Sequence, residues 1–214
     1  MIADRSLQIA ELLTSRFCHD MIAPIGAINT GLELLQETLP SHLTESDEVL
    51  KLILNSAETA TARVSFYRVA FGSGTGKILV DTIKDLTNKY FNRSKLKINW
   101  KETTTKDLSI NTWGRVLLNS ILWLSECAPR GGILHVSFPD NIAVLTLRLK
   151  ADSIILHQGT LEALEGKASL SEITPRTIPC YLIYTLVQEG KGILTINRTS
   201  SPSELVLEIR MEEI

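Results

Sequence analysis

The stretch Ser15-Arg16-Phe17-Cys18-His19-Asp20-Met21-Ile22-Ala23-Pro24-Ile25-Gly26-Ala27-Ile28-Asn29-Thr30-Gly31-Leu32-Glu33-Leu34-Leu35 places one histidine, followed at once by an acid, in the middle of a long amphipathic helix. At about 100° per residue, Ala10, Leu13, Phe17, Met21, Ile28, Leu32 and Leu35 fall on one apolar stripe. His19 falls on the opposite side, among Ser15, Arg16, Ala23 and Gly26. A histidine so displayed can receive a group. Pro24 costs roughly 3 kcal/mol in a helix interior and kinks it. Gly26 and Gly31 add a smaller cost, yet the stripe runs on past all three.

Outward from this stretch, residues 4–39 read as one helix and residues 44–71 as a second, joined by a turn at 40–43. Thr44 and Asp47 have the spacing of a capping box. The second helix places Leu50, Ile53, Ala57, Ala60, Val64, Tyr67 and Phe71 at alternating steps of three and four, a coiled-coil-like seam. Two helices of roughly 30 residues, each about 45 Å long, cannot bury such stripes against each other alone, whereas two hairpins pairing as a four-helix bundle can. The expectation is a homodimer with Leu50, Ile53, Ala57, Ala60 and Val64 in its seam. After the flexible stretch Gly72-Ser73-Gly74-Thr75-Gly76, short helices and strands alternate. Helices are expected at 79–91, 112–128 and 175–188. Strands are expected at 96–100, 133–138, 142–149, 192–198 and 205–211, with turns at 139–141 and 200–203. The fold class is α+β: a helical hairpin over 1–72, a linker at 73–76 and an α/β sandwich over 77–214.

With 214 residues and 44% hydrophobic content, the chain can bury an ordinary core. Cys18, Cys127 and Cys180 are widely spaced and odd in number, against a disulfide framework or a cysteine zinc site and in keeping with a reducing cytosol. Charge precedes any apolar run at the N-terminus, and no stretch is apolar enough to span a bilayer. The expectation is a cytoplasmic protein with no membrane partner. A net charge of −2 without a basic block argues against nucleic acid as a partner, and none is expected. The run Gly72 to Lys77 is a poor P-loop: its spacer is one residue short, and Ile78 stands where a hydroxyl would hold Mg²⁺. His42, His135 and His157 lack metal-ligand spacing. Trp100, Trp113 and Trp123, without interleaved basic residues, read as core.

The pattern His-acid-apolar-x-x-Pro-apolar resembles the phosphoacceptor motif of sensor histidine kinases. The longer run His19-Asp20, Pro24-Ile25-Gly26-Ala27, Asn29 and Gly31-Leu32-Glu33-Leu34 resembles the ChpT-type histidine phosphotransferases of alphaproteobacterial phosphorelays. The order of elements after the hairpin is similar to the ATP-binding domain of those kinases, but its boxes fail one by one. Arg115-Val116-Leu117-Leu118-Asn119 matches the first half of the asparagine box, while Trp123 stands where the Mg²⁺-binding asparagine belongs. Asp152 lacks the following Gly-x-Gly, and 167–174, where a glycine-rich lid would lie, contains no glycine. A nucleotide needs that magnesium ligand and those close backbone approaches. Residues 77–214 are therefore read as a degenerate histidine-kinase-like (GHKL/Bergerat-like) sandwich that has lost its ATP site, as the ChpT-type resemblance also implies.

The resemblance implies a phosphorelay carrier. A neutral His19 imidazole is a good nucleophile, and the aspartyl phosphate of a receiver domain is already activated, so the carrier needs no ATP. His19, Asp20 and Arg16 are the candidate catalytic residues. By resemblance Asp20 orients the ring or sets its tautomer. Arg16, one turn before His19 and about 60° around the helix, can reach the phosphoryl oxygens or the receiver's acidic rim. Ile22, Ala23, Gly26 and Asn29 form the expected docking surface. The expected partners are response-regulator receiver domains, including that of a hybrid histidine kinase. Mg²⁺ is expected on the receiver, and no cofactor or metal on this chain. A true ATP-dependent kinase with degenerate boxes and a catalytically silent scaffold for receivers are the alternative readings.

Overall fold

Helices α1 (Ile2–Thr38) and α2 (Leu43–Ala70) pack as an antiparallel hairpin. The computed structural model describes residues 2–38, 43–74, 76–103, 107–138, 144–198 and 203–211. The turn at 40–42, the side chain of Thr44 with its expected capping box, the turn at 139–141 and most of that at 200–203 lie outside the described residues. Helix α1 runs unbroken through Pro24.

The expected stripe of α1 is largely the buried one: Met21 is buried and Leu13, Phe17, Ile28 and Leu35 are half-buried. The buried face is turned from it at its edges, where Ala10 and Leu32 are exposed while Arg16, Pro24 and Gly31 are buried. Hydrophobicity marks which residues prefer burial, but the line of contact with α2 and the sandwich decides which obtain it. At Gly31 the helices approach closely: a Cβ there would stand 2.5 Å from Ile53 Cγ1. The expected seam on α2 divides for the same reason. Ile53 turns inward onto Gly31, Ala57 and Ala60 are half-buried, and Leu50 and Val64 stay exposed.

The rest of the chain builds a sheet with helices against its apolar face. Strands β2 (Leu96–Trp100), β4 (Gly132–Ser137), β5 (Val144–Lys150), β6 (Ile193–Arg198) and β7 (Glu204–Arg210) are ordered β2-β4-β5-β7-β6. Only the β2–β4 pair is parallel. Period-two alternation sends Leu134, Val136, Leu145, Leu147, Leu149, Leu205, Leu207 and Ile209 into the core. His135 and Arg148 point to the wet face. A two-stranded ribbon of β1 (Lys77–Leu79) and β3 (Asp107–Ser109) stands apart, too short to have been expected from pattern alone.

Helix α3 (Val80–Tyr90) buries Val80, Ile83 and Thr87. Helix α4 (Arg115–Cys127) follows a π-helical turn at Ile110–Gly114, which places its start three residues beyond the expected one. After the short α5 (Thr160–Leu164), helix α6 (Ile178–Glu189) starts at Ile178 rather than Pro175. A turn precedes it, in which the Thr174 amide donates to Thr177 Oγ1 at 2.9 Å. Trp113 and Trp123 are core residues as expected, and Trp100 packs against the core's edge.

Among the described residues, polar contacts tie α1 to the sandwich: Arg5 donates to Tyr181 Oη, Gln8 Nε2 to the Leu170 carbonyl at 3.2 Å, and Arg16 to Glu126 on α4. Another secures α2. The Asn119 amide, fully buried, donates to the carbonyl of Ala70, the last residue of α2, at 2.8 Å, and to that of Arg115 at 2.9 Å. The hairpin and the sheet are thereby held in one arrangement around the middle of α1.

Candidate active site around His19

The His19 side chain is 83% exposed, while that of Asp20, its neighbour in sequence, is 14% exposed. Successive helical residues diverge by about 100°, so one faces solvent and the other turns under the helix edge. Asp20 Oδ1 nevertheless lies 3.0 Å from His19 Nδ1. Asp20 Oδ2 accepts from Arg16 Nε at 2.9 Å and from the Tyr67 hydroxyl on α2. An ionised carboxylate can only accept. In the neutral imidazole Nδ1 therefore carries the proton, and Nε2 is left with a free lone pair on the exposed side of the ring.

The proline explains a further contact. Residue 24 should donate its backbone N–H to the carbonyl of residue 20, and proline has none. The Asp20 carbonyl is left without its helical partner, and the Arg63 guanidinium of α2 donates to it instead. The damage to the helix thus becomes an anchoring point for its neighbour.

Charge balance keeps the carboxylate ionised. Burial works to raise the Asp20 pKa, but the Tyr67 hydrogen bond, then those of His19 and Arg16 and the Arg16 charge, hold it below its ordinary 3.8. Burial likewise opposes the charge on Arg16, yet Glu126, Tyr67 and Asp20 hold its pKa above that of an ordinary guanidinium. Burial raises the Tyr67 pKa far above 10, so its hydroxyl remains a donor. Behind it the Tyr90 hydroxyl lies 2.9 Å away. Phe17, Phe66 and Phe71 wall the pair at centroid distances of 6.0, 5.8 and 4.8 Å from the Tyr67 ring.

Of the residues expected at the site, His19 and Asp20 are brought together and Ile22, Ala23, Gly26 and Asn29 are exposed beside them. Arg16 corrects the expectation. It is 8% exposed and engaged on both sides, by Asp20 and by Glu126, so it does not reach out to phosphoryl oxygens. The 60° that separates it from His19 is enough to carry it round the helix edge, beneath α4. Tyr67, Tyr90, Arg63 and Glu126 were not foreseen. Tyr67 lay within the apolar stripe of α2, where a buried phenol's need for a hydroxyl partner is a signal; Glu126 gave none. Among the described residues, no group of three or more His, Cys, Asp or Glu side chains is placed to hold a metal ion.

The family model of the histidine phosphotransferase C-terminal domain matches residues 80–201, most of the sandwich. The protein phosphotransferase ChpT of Brucella abortus (strain 2308) is 31% identical over 200 residues, covering 91% of this chain and 92% of that one. The chain belongs to the histidine phosphotransferase family. A solved structure of a bacterial phosphotransferase superposes with a TM-score of 0.79 at 29% identity, covering 95% of this chain and 96% of that one. The similarity of this phosphotransferase to its relatives therefore extends through the hairpin that carries His19.

The depressed Asp20 pKa has a sign that can be tested. A group whose folded pKa lies below its unfolded value stabilises the fold above the unfolded pKa, and that stability is lost as pH falls toward the folded one. In urea unfolding, Asp20→Asn is expected to be less stable than the unmutated chain at pH 7, by about 1–3 kcal/mol for a charged hydrogen-bond acceptor. That difference should narrow as pH falls below 4. A gap unchanged between pH 7 and pH 3 would count against an ionised, paired Asp20.

Proposed function

We propose that this histidine phosphotransferase relays a phosphoryl group between aspartates of response-regulator receiver domains through a phosphohistidine at His19. The observation that carries the proposal is a solvent-facing imidazole with one nitrogen held by a half-buried carboxylate and the other free. In the forward step the Nε2 lone pair attacks phosphorus, the P–O bond to the receiver's aspartate breaks, and the leaving carboxylate keeps the electron pair. The acyl phosphate is activated already, so the carrier's task is alignment and charge stabilisation. Mg²⁺ on the receiver would stabilise the transferring oxygens. The imidazolium formed at His19 is stabilised by the adjacent Asp20 charge. Attack on a second receiver's aspartate reverses the geometry.

Ile22, 70% exposed, with Ala23, Gly26 and Asn29, offers the receiver an uncovered apolar and small-residue surface around His19. The sandwich is proposed to add a second contact for the receiver, since it meets α1 next to the site through Glu126 and Arg16. We take the receiver of a hybrid histidine kinase to be one partner. Three free cysteines and no described helix long and apolar enough to cross a membrane accord with a cytoplasmic site of action.

The dimeric four-helix bundle belongs to the same proposal. Leu50, Leu54 and Val64 are 46, 62 and 43% exposed and share one stripe of α2; Ile25 and Leu32 line the neighbouring edge of α1. Leu54, Ala57 and Thr61 also border an open groove of about 800 Å³. A second copy would cover these apolar side chains.

The sandwich, residues 77–214, is proposed not to use ATP. Asn119 directs its amide protons to backbone carbonyls rather than to a ligand, and Trp123, at the position of the magnesium ligand, is fully buried.

Incubation with a phosphorylated receiver domain should label His19 alone. The label should be acid-labile and alkali-stable, as a phosphoramidate is, and absent from His19→Ala; label retained by that variant would overturn the assignment. Sedimentation should give about twice 23.8 kDa, with Ala57→Glu or Val64→Glu dissociating the particle by burying an unpaired charge. A stable monomer of the unmutated chain at micromolar concentration would exclude the bundle. Calorimetric titration with Mg-ATP should produce no saturable heat, and a micromolar dissociation constant would restore the kinase reading.

A further inference from the structure

The contacts of Asp20 divide between two elements. Its own helix supplies His19 and Arg16, while α2 supplies Tyr67 to the side chain and Arg63 to the backbone carbonyl that Pro24 leaves open. Arg63 and Tyr67 are four residues apart, and so lie on one face of α2. The direction of the hydrogen bonds can be derived. Asp20 only accepts, so the single proton of Tyr67 points to Oδ2; the Tyr67 oxygen must then accept from Tyr90, whose hydroxyl is 2.9 Å away. The chain runs Tyr90 to Tyr67 to Asp20, each donor polarising the next. With Oδ2 occupied by Tyr67 and Arg16, Oδ1 is the oxygen left for His19 Nδ1.

We infer that Tyr67, with Arg63 beside it, is a positioning residue for phosphotransfer: from α2 it holds the Asp20 carboxylate in the one orientation that keeps the proton on His19 Nδ1 and the nucleophilic lone pair on Nε2. This rests on His19 being the phosphorylated residue. Without the Tyr67 hydroxyl, Asp20 keeps Arg16 but loses the donor that fixes its carboxylate from the far side. The ring then populates the tautomer whose exposed nitrogen carries hydrogen and cannot attack. When the reaction does proceed, a phosphorus–nitrogen bond forms at Nε2, the bond from phosphorus to the donor breaks, and the donor keeps that electron pair. The Nδ1 proton stays against Asp20, whose negative charge compensates the imidazolium.

The test uses the full chain and phosphoramidate, a small donor that releases ammonia and needs no docking surface. Tyr67→Phe keeps the buried ring but removes the hydrogen bond that supports Asp20, which should slow labelling of His19 about tenfold. In the Asp20→Asn background the same substitution should change the rate less than about twofold, because its effect passes through Asp20. Nitrogen-15 NMR of the neutral His19 ring should place the proton on Nδ1 in the unmutated chain and show a growing Nε2-protonated fraction in Tyr67→Phe. An unmutated ring protonated on Nε2 would overturn the proposal even if the variant fails to fold. So would a Tyr67→Phe rate equal to the unmutated one, or an equal slowing with and without Asp20. Absence of label from His19 in the unmutated chain would instead refute the phosphorylation site itself.

Discussion

The structure depends on one half-buried carboxylate. Asp20 lies where α1, α2 and, through Arg16 and Glu126, α4 converge. A charge removed from water costs several kcal/mol unless it is paired and fully hydrogen-bonded. Here each oxygen has its partner: Oδ1 has the imidazole, and Oδ2 has a guanidinium and a phenol. The same requirement that makes this charge tolerable fixes the geometry of the exposed histidine beside it, so stability and readiness to react have a common origin.

Pro24 belongs to that arrangement. In an isolated helix it would be a defect, because it removes a donor and leaves the Asp20 carbonyl orphaned. In the hairpin the orphaned acceptor becomes a point where Arg63 can bind across the helix interface. A continuous ladder would have offered α2 a weaker hold on the residue that orients His19. The cost of the proline and the position of the site are one fact seen from two sides.

The sandwich contributes through contact more than through chemistry visible in its own residues. Asn119 binds the last carbonyl of α2, Glu126 closes the outer side of Arg16, and Tyr181 receives Arg5. These contacts are distributed along the hairpin, so α1 and α2 reach the Asp20 site already oriented. The outer face of the five-stranded sheet carries exposed polar residues such as His135 and Arg148, the latter paired with Glu204 of the neighbouring strand at 2.8 Å.

Periodicity alone made both long helices legible, along with most of the sheet strands, because each buries one face and the spacing of apolar residues follows the geometry of the element. The motif around His19 was legible too, since a histidine opposite an apolar stripe must face water. The three-residue strands β1 and β3 were not, being too short to carry a period, nor was the five-residue helix α5, which is little more than one turn. Nor was the role of Arg16. A position 60° from an exposed residue lies at the edge of a helix, and whether an edge is wet depends on what packs there; here α4 does, and Arg16 is buried. The sequence by itself determined the helical hairpin, the displayed histidine and the sandwich. Only the tertiary structure decided which partners hold Asp20, because Glu126 lies 110 residues from Arg16 and Tyr67 lies 47 from Asp20, and no local pattern reports which distant side chains share a contact.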